Sequence, residues 1–130
     1  MSRSRQSAKS AGARFERVIA DALKEHVSEF IDRKVKTGAR DQGDVANLRS
    51  AHNLKITAEL KDVRQMSLSG WLREAEDERI NAGDDLALVI AKRRGHADPL
   101  RQYAVMEVRD LIGLITGKRP TTTEKNESTP

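Results

Sequence analysis

Asp44, Glu59 and Lys61 have types and spacing that suit phosphoryl chemistry. The run Leu54 to Lys61, LKITAELK, alternates apolar and polar side chains as a half-buried strand does. Side chains two apart share a face, so Leu54, Ile56, Ala58 and Leu60 form one side and Lys55, Thr57, Glu59 and Lys61 the other. Asp44 opens the preceding strand-like run, and a hairpin would bring its carboxylate within a few ångströms of Glu59. Two carboxylates that close repel, and each binds its proton more tightly unless a cation lies between them. Mg²⁺ removes that penalty, since it favours a few carboxylates together with waters and phosphate oxygens. A water bound to such an ion becomes more acidic. Lys61, one pleat beyond Glu59, is then placed to meet a scissile phosphate or the attacking water.

Glu16 is the second candidate. It lies three, four and seven residues before Ile19, Ala20 and Leu23, at the border of an apolar helical stripe. A carboxylate facing a core needs a partner. Gly12, one turn earlier, would let the helix approach a sheet closely and aim Glu16 at the same ion. The bland alternative is a stripe-edge Glu paired with a Lys or Arg.

The elements that must position these residues follow from periodicity and punctuation. Phe15, Ile19, Leu23 and Val27, with Val18 and Phe30 nearby, predict a helix over 11–30. Strands are expected over 33–36, 44–48 and 54–61, in a meander. Ser67 or Ser69 can cap a second helix over 70–82, stopped by Gly83. LALVIAK, 86–92, reads as a strand covered on both faces. A fifth strand over 102–108 and a short helix over 109–115, ended by Gly117, complete the order α-β-β-β-α-β-β-α, an α/β sheet with a helix on each side. Residues 1–9 and 118–130 have the composition of disordered tails, leaving one domain over 10–117.

Bulk properties narrow the partners. The chain has 130 residues, no cysteine and a net charge of +4, so a metal must be held by oxygen or imidazole. No apolar run is long enough to span a membrane and no secretory signal is legible, which points to a cytoplasmic protein. Charge is uneven. Segments 32–64 and 86–119 are basic, whereas 71–85 holds six acids against two bases. A basic surface of this kind is the footprint of a phosphate-backbone binder, although charge runs are also simply solvated surface.

Gly12-x-x-x-Glu16, Gly43-Asp44-Val45 and Glu59-Leu60-Lys61 together resemble the PD-(D/E)XK nuclease signature. More narrowly, the pattern is similar to the archaeal-type Holliday junction resolvases and their phage relatives, over about 12–115. The resemblance implies a restriction-endonuclease-like core, with a central mixed five-stranded sheet flanked by helices. It implies that Asp44, Glu59, the Leu60 main-chain carbonyl and Glu16 hold Mg²⁺, for which Mn²⁺ would substitute, and that Lys61 is the catalytic lysine. It further implies a homodimer that nicks two strands of a four-way DNA junction, in a bacterial, archaeal or phage-infected cell. Gly43 stands where the family has proline, and the preceding loop KTGARDQG offers only Thr37 where the resolvases carry a serine.

Arg33, Lys34, Lys36, Arg40, Arg49, Lys55 and Arg64, with Thr37, are the expected DNA contacts, and phosphate contacts of this kind set position without reading sequence. Lys92, Arg93 and Arg94 form a second basic cluster with no assigned role. An aromatic content of 3% argues against stacking platforms for single strands. His26, His52 and His96 have neither HNH nor HExxH spacing and read as structural or exposed. Trp71 reads as packing for the second helix or as part of a dimer interface. Two other functions fit the same residues: a nicking or structure-specific nuclease of the same fold with another DNA substrate, and a non-catalytic nucleic-acid binder whose acids only balance its bases. Lys61 separates the second from the enzymes, because a binder has no need of a lysine beside two carboxylates.

Overall fold

The computed structural model describes residues 4–35 and 41–121. Helix α1 spans Arg5–His26, earlier at both ends than periodicity predicts. Ser4 supplies the start: its hydroxyl accepts the Ser7 amide at 3.1 Å, a side-chain cap for an otherwise unpaired N–H. The first helical turns therefore occupy part of the expected tail 1–9. At the other end Ser28 turns the chain out of the helix, its Oγ accepting from the Phe30 amide. Val27 and Phe30, expected on the buried stripe, are exposed as a result.

Strands β1 (Asp32–Arg33) and β2 (Val45–Ala46) pair antiparallel in a two-stranded sheet. Strand β3 (Ile56–Lys61) lies parallel to β4 (Leu86–Ala91), joined by helix α2 (Leu68–Ala82), and β5 (Tyr103–Val105) completes the second sheet antiparallel to β4. Helix α3 (Val108–Thr116) closes the chain. Among the described residues the class is α/β with three α-helices, in the expected order.

The single five-stranded sheet is not formed. The two small sheets are joined instead by scattered bonds, Asp44 N–H to Ala58 O at 3.0 Å and Ile56 N–H to Leu48 O at 2.9 Å. Between these, Asn47 takes a left-handed conformation at φ +65° and bonds the Phe30 carbonyl through its amide, so a regular ladder cannot run through. The fifth strand is likewise shorter than expected.

Packing divides the molecule into layers. Phe15 and Ile19 of α1 bury against Ile56, Ala58 and Leu60 of β3 and Leu88 of β4. On the opposite face Trp71 and Ala75 of α2 bury against Ala87, Val89 and Ala91. Those small strand side chains bring α2 close to the sheet. Trp71 is thus the core residue expected of it. Gly12 is not a close-approach position, since a β-carbon there would meet nothing within 4 Å. The C-terminal boundary also shifts. Arg119, expected in a disordered tail, donates to Asp110 at 2.9 Å and to Glu76 at 2.7 Å. Asp110 in turn accepts from the buried Ala87 amide. No helix among the described residues is long and apolar enough to cross a membrane.

Candidate metal centre

The alternation of β3 decides which side chains meet α2. Ala58 and Leu60 face α1, so Thr57, Glu59 and Lys61 face the other way. Thr57 donates to Asp84 at 2.7 Å, just past the end of α2. Glu59, only 5% exposed, meets Glu78 of α2, 2% exposed. Lys61 pairs with Glu74, one turn before Glu78, and lies 3.8 Å from Glu59.

Asp44 arrives from the other side of the chain's path. Gly43 holds φ +94°, and a β-carbon there would stand 3.0 Å from the Thr57 methyl and 3.4 Å from the Ala58 carbonyl. Glycine alone fits. This also explains why proline is absent from that position, because its ring requires φ near −65°. The turn leaves Asp44 buried, with Oδ2 accepting the Leu60 amide at 2.8 Å. Asp41, two residues before Gly43, accepts the Gly43 amide at 3.0 Å.

Oxygens of Asp41, Glu59 and Glu78 all lie within 4.8 Å of one another. Burial pushes the Glu59 carboxyl strongly up, and the Asp44 and Glu78 carboxylates beside it push further. Burial likewise raises Glu78, with Asp41 and Asp44 adding to it and a contact to Glu59 opposing. Burial acts to lower Lys61, but its pairing with Glu74 and the charge of Glu59 outweigh this, and the ammonium is held protonated.

Both Glu78 oxygens are buried and accept no hydrogen bond among the described residues. Their neighbours are acids, which can share a proton but cannot each donate one. An uncompensated buried carboxylate costs several kcal/mol. A hard divalent cation would satisfy every group in this set, all of it oxygen, and the acidic triad can hold one.

The expected Asp44, Glu59 and Lys61 are therefore brought together, and Leu60 contributes its amide to hold Asp44. Glu16 is half-buried on α1 and is not one of the three carboxylates whose oxygens cluster. The helical carboxylate that joins Glu59 comes from α2. Periodicity held the signal for it: Trp71, Ala75 and Glu78 fall at i, i+4 and i+7, so Glu78 lies within the buried stripe rather than at its border. Asp41 carried no such signal, because its place depends on the turn at Gly43.

Of the expected DNA contacts, Arg33, Lys34, Arg49, Lys55 and Arg64 are among the described residues. Lys55 precedes β3 and Arg64 follows it, so six strand residues, roughly 20 Å at 3.3 Å each, separate them. Lys34 donates to the Gln42 carbonyl at 3.0 Å, and Arg49 reaches Asn53 at 3.4 Å. Arg33 is exposed on β1. Lys36, Thr37 and Arg40 lie outside the described residues. His52 bonds the Ile115 carbonyl at 3.0 Å and fills the space beside Gly117, a structural use. A scan against models of known protein families gives no match, and neither curated proteins nor solved structures give one.

Proposed function

We propose that the chain is a metal-dependent DNA endonuclease of the PD-(D/E)XK kind, acting on branched DNA as a homodimer that places paired nicks in a four-way junction. The observation that carries this reading is the meeting of Glu59 with other buried carboxylates on one side and with the Lys61 ammonium on the other. Mg²⁺, when bound, would offset phosphate charge and raise the acidity of water. Asp41, Glu59 and Glu78 would hold it, with Asp44 set beside them by the Leu60 amide.

Lys61 has a distinct task. Its ammonium is 21% exposed and already charged, so it can pass from Glu74 to a phosphate oxygen without gaining or losing a proton. Such an electrostatic contact favours the transition state, in which charge builds on the phosphoryl oxygens. With the ion bound, Glu59 would be ionised and would keep the lysine, 3.8 Å away, close through opposite charge.

The test is incubation with a synthetic four-way junction and a matched linear duplex, with Mg²⁺ and with EDTA. Symmetric nicks confined to the junction and dependent on the metal are expected. Asp44→Asn and Glu59→Gln should abolish nicking while retaining junction binding, and Lys61→Ala should lower turnover by about 10²-fold or more. Cleavage that persists in EDTA, or in the Glu59→Gln protein, sinks the reading. Nicking of the linear duplex at the same rate would keep the chemistry but replace the branched substrate.

A further inference from the structure

The basic cluster Lys92–Arg94 takes on a meaning in the fold that it lacks in the sequence. A cavity of about 400 Å³ brings Arg93 and Arg94 together with Arg64, Met66, Trp71 and Tyr103. Its volume is within the range of small-ligand pockets. No acid lines it, and among the described residues none of the three arginines is ion-paired with a carboxylate. The chain has one tryptophan and one tyrosine, and both are here. The Arg93 guanidinium lies 5.5 Å from the Tyr103 ring centroid, a cation–π arrangement that fixes both planes.

The wall is braced. Lys92 donates to the carbonyls of Arg93 and His96, and Gln102 ties its amide to the His96 carbonyl at 2.9 Å while accepting the Arg93 N–H. The turn carrying Arg93 and Arg94 is therefore held from both ends. It also adjoins the candidate centre, since the Lys92 amide bonds the Lys61 carbonyl at 2.8 Å. Trp71 and Ala91 share the α2 face of the sheet with Glu59 and Lys61.

We propose that this cavity binds one unpaired nucleotide of a nucleic-acid strand, its base against Tyr103 and Met66 and its phosphates on Arg64 and Arg94. Aromatic faces accept an unstacked base of any type, and arginines supply both stacking and bidentate phosphate contacts. Arginines lacking acidic partners, beside an aromatic ring and a flexible methionine, suit a ligand with one flat apolar face and one anionic edge. A fully paired duplex offers no such face. The subsite does not depend on the nuclease reading, because it concerns binding without metal.

Trp71, as the only indole, reports directly. The intact protein in EDTA is titrated with a short oligothymidylate, with thymidine monophosphate and with a blunt duplex hairpin, following tryptophan fluorescence. Saturable quenching by the oligothymidylate is expected, with the hairpin and the mononucleotide at least tenfold weaker. Arg94→Ala lies on an exposed turn and leaves the core intact; it should weaken oligothymidylate binding several-fold, and Tyr103→Leu should weaken it about tenfold. Equal quenching by the hairpin, or mononucleotide binding as tight as the strand's, overturns the proposal. So does oligothymidylate binding that Arg94→Ala leaves unchanged in a protein that still melts cooperatively.

Discussion

At the scale of single residues, Glu78 is the least comfortable side chain in the molecule. Its oxygens are buried, and its neighbours Glu59 and Asp41 are acids that can donate to it only where they hold a proton. A carboxyl whose folded pKa is raised stabilises the fold fully below its unfolded value, and that contribution is lost as pH rises through the raised value. The metal-free protein should therefore lose stability as pH rises from about 4.5 to about 7, and saturating Mg²⁺ should restore it, by about 2.7 kcal/mol at a hundredfold excess over Kd. Glu78→Gln should raise the melting temperature in EDTA at pH 8 and remove most of the Mg²⁺-induced gain. Thermal melts of both proteins with and without the ion check this. A wild-type melting temperature that ignores Mg²⁺ throughout would count against the cation site. Glu59 and Lys61 were legible from the two-residue period of one strand. Glu78 had a helical-period signal of equal quality, whereas Glu16, singled out instead, only borders its stripe.

At the scale of elements, local signals located the helices and the long strands. Gly83 and Gly117 end their helices in left-handed conformations, as their positions predict. The departures occur where the chain adopts backbone that residue type does not announce. Asn47 at φ +65° interrupts the ladder between β2 and β3. Gly43 at φ +94° brings the exposed Asp41 and the buried Asp44 to the carboxylate cluster. Gly43→Pro, which would install the residue of the nuclease signature, should destabilise the fold by about 1–3 kcal/mol and abolish metal binding. Chemical denaturation and calorimetric titration with Mn²⁺ measure the two effects. A variant of unchanged stability would mean that the turn tolerates another conformation.

At the scale of the whole molecule, Glu76 ties three parts of the chain together. It accepts from Arg79 on its own helix and from Arg119 beyond α3, and Arg119 also holds Asp110. Burial acts to raise Glu76, but these guanidinium bonds outweigh it and hold the carboxyl down at about 2. The folded value is depressed, so its contribution is complete above the ordinary carboxylate range and fades as pH falls from about 4.5 toward 2. Glu76→Gln should therefore destabilise the protein at pH 6 and flatten its stability between pH 4.5 and 2, as denaturant melts across that range would show; a variant as acid-sensitive as the parent refutes the linkage. The sequence by itself determined what local spacing encodes: the strand bearing Glu59 and Lys61, the extents of the helices to within a turn or two, and an excess of cations. The tertiary structure alone decided which distant groups meet. Asp41 reaches Glu59 through one turn, Glu78 through small side chains that let α2 settle on the sheet, and Trp71 reaches Tyr103 across a cavity. Such meetings depend on packing between segments dozens of residues apart, and the physics of neighbours along a chain does not contain them.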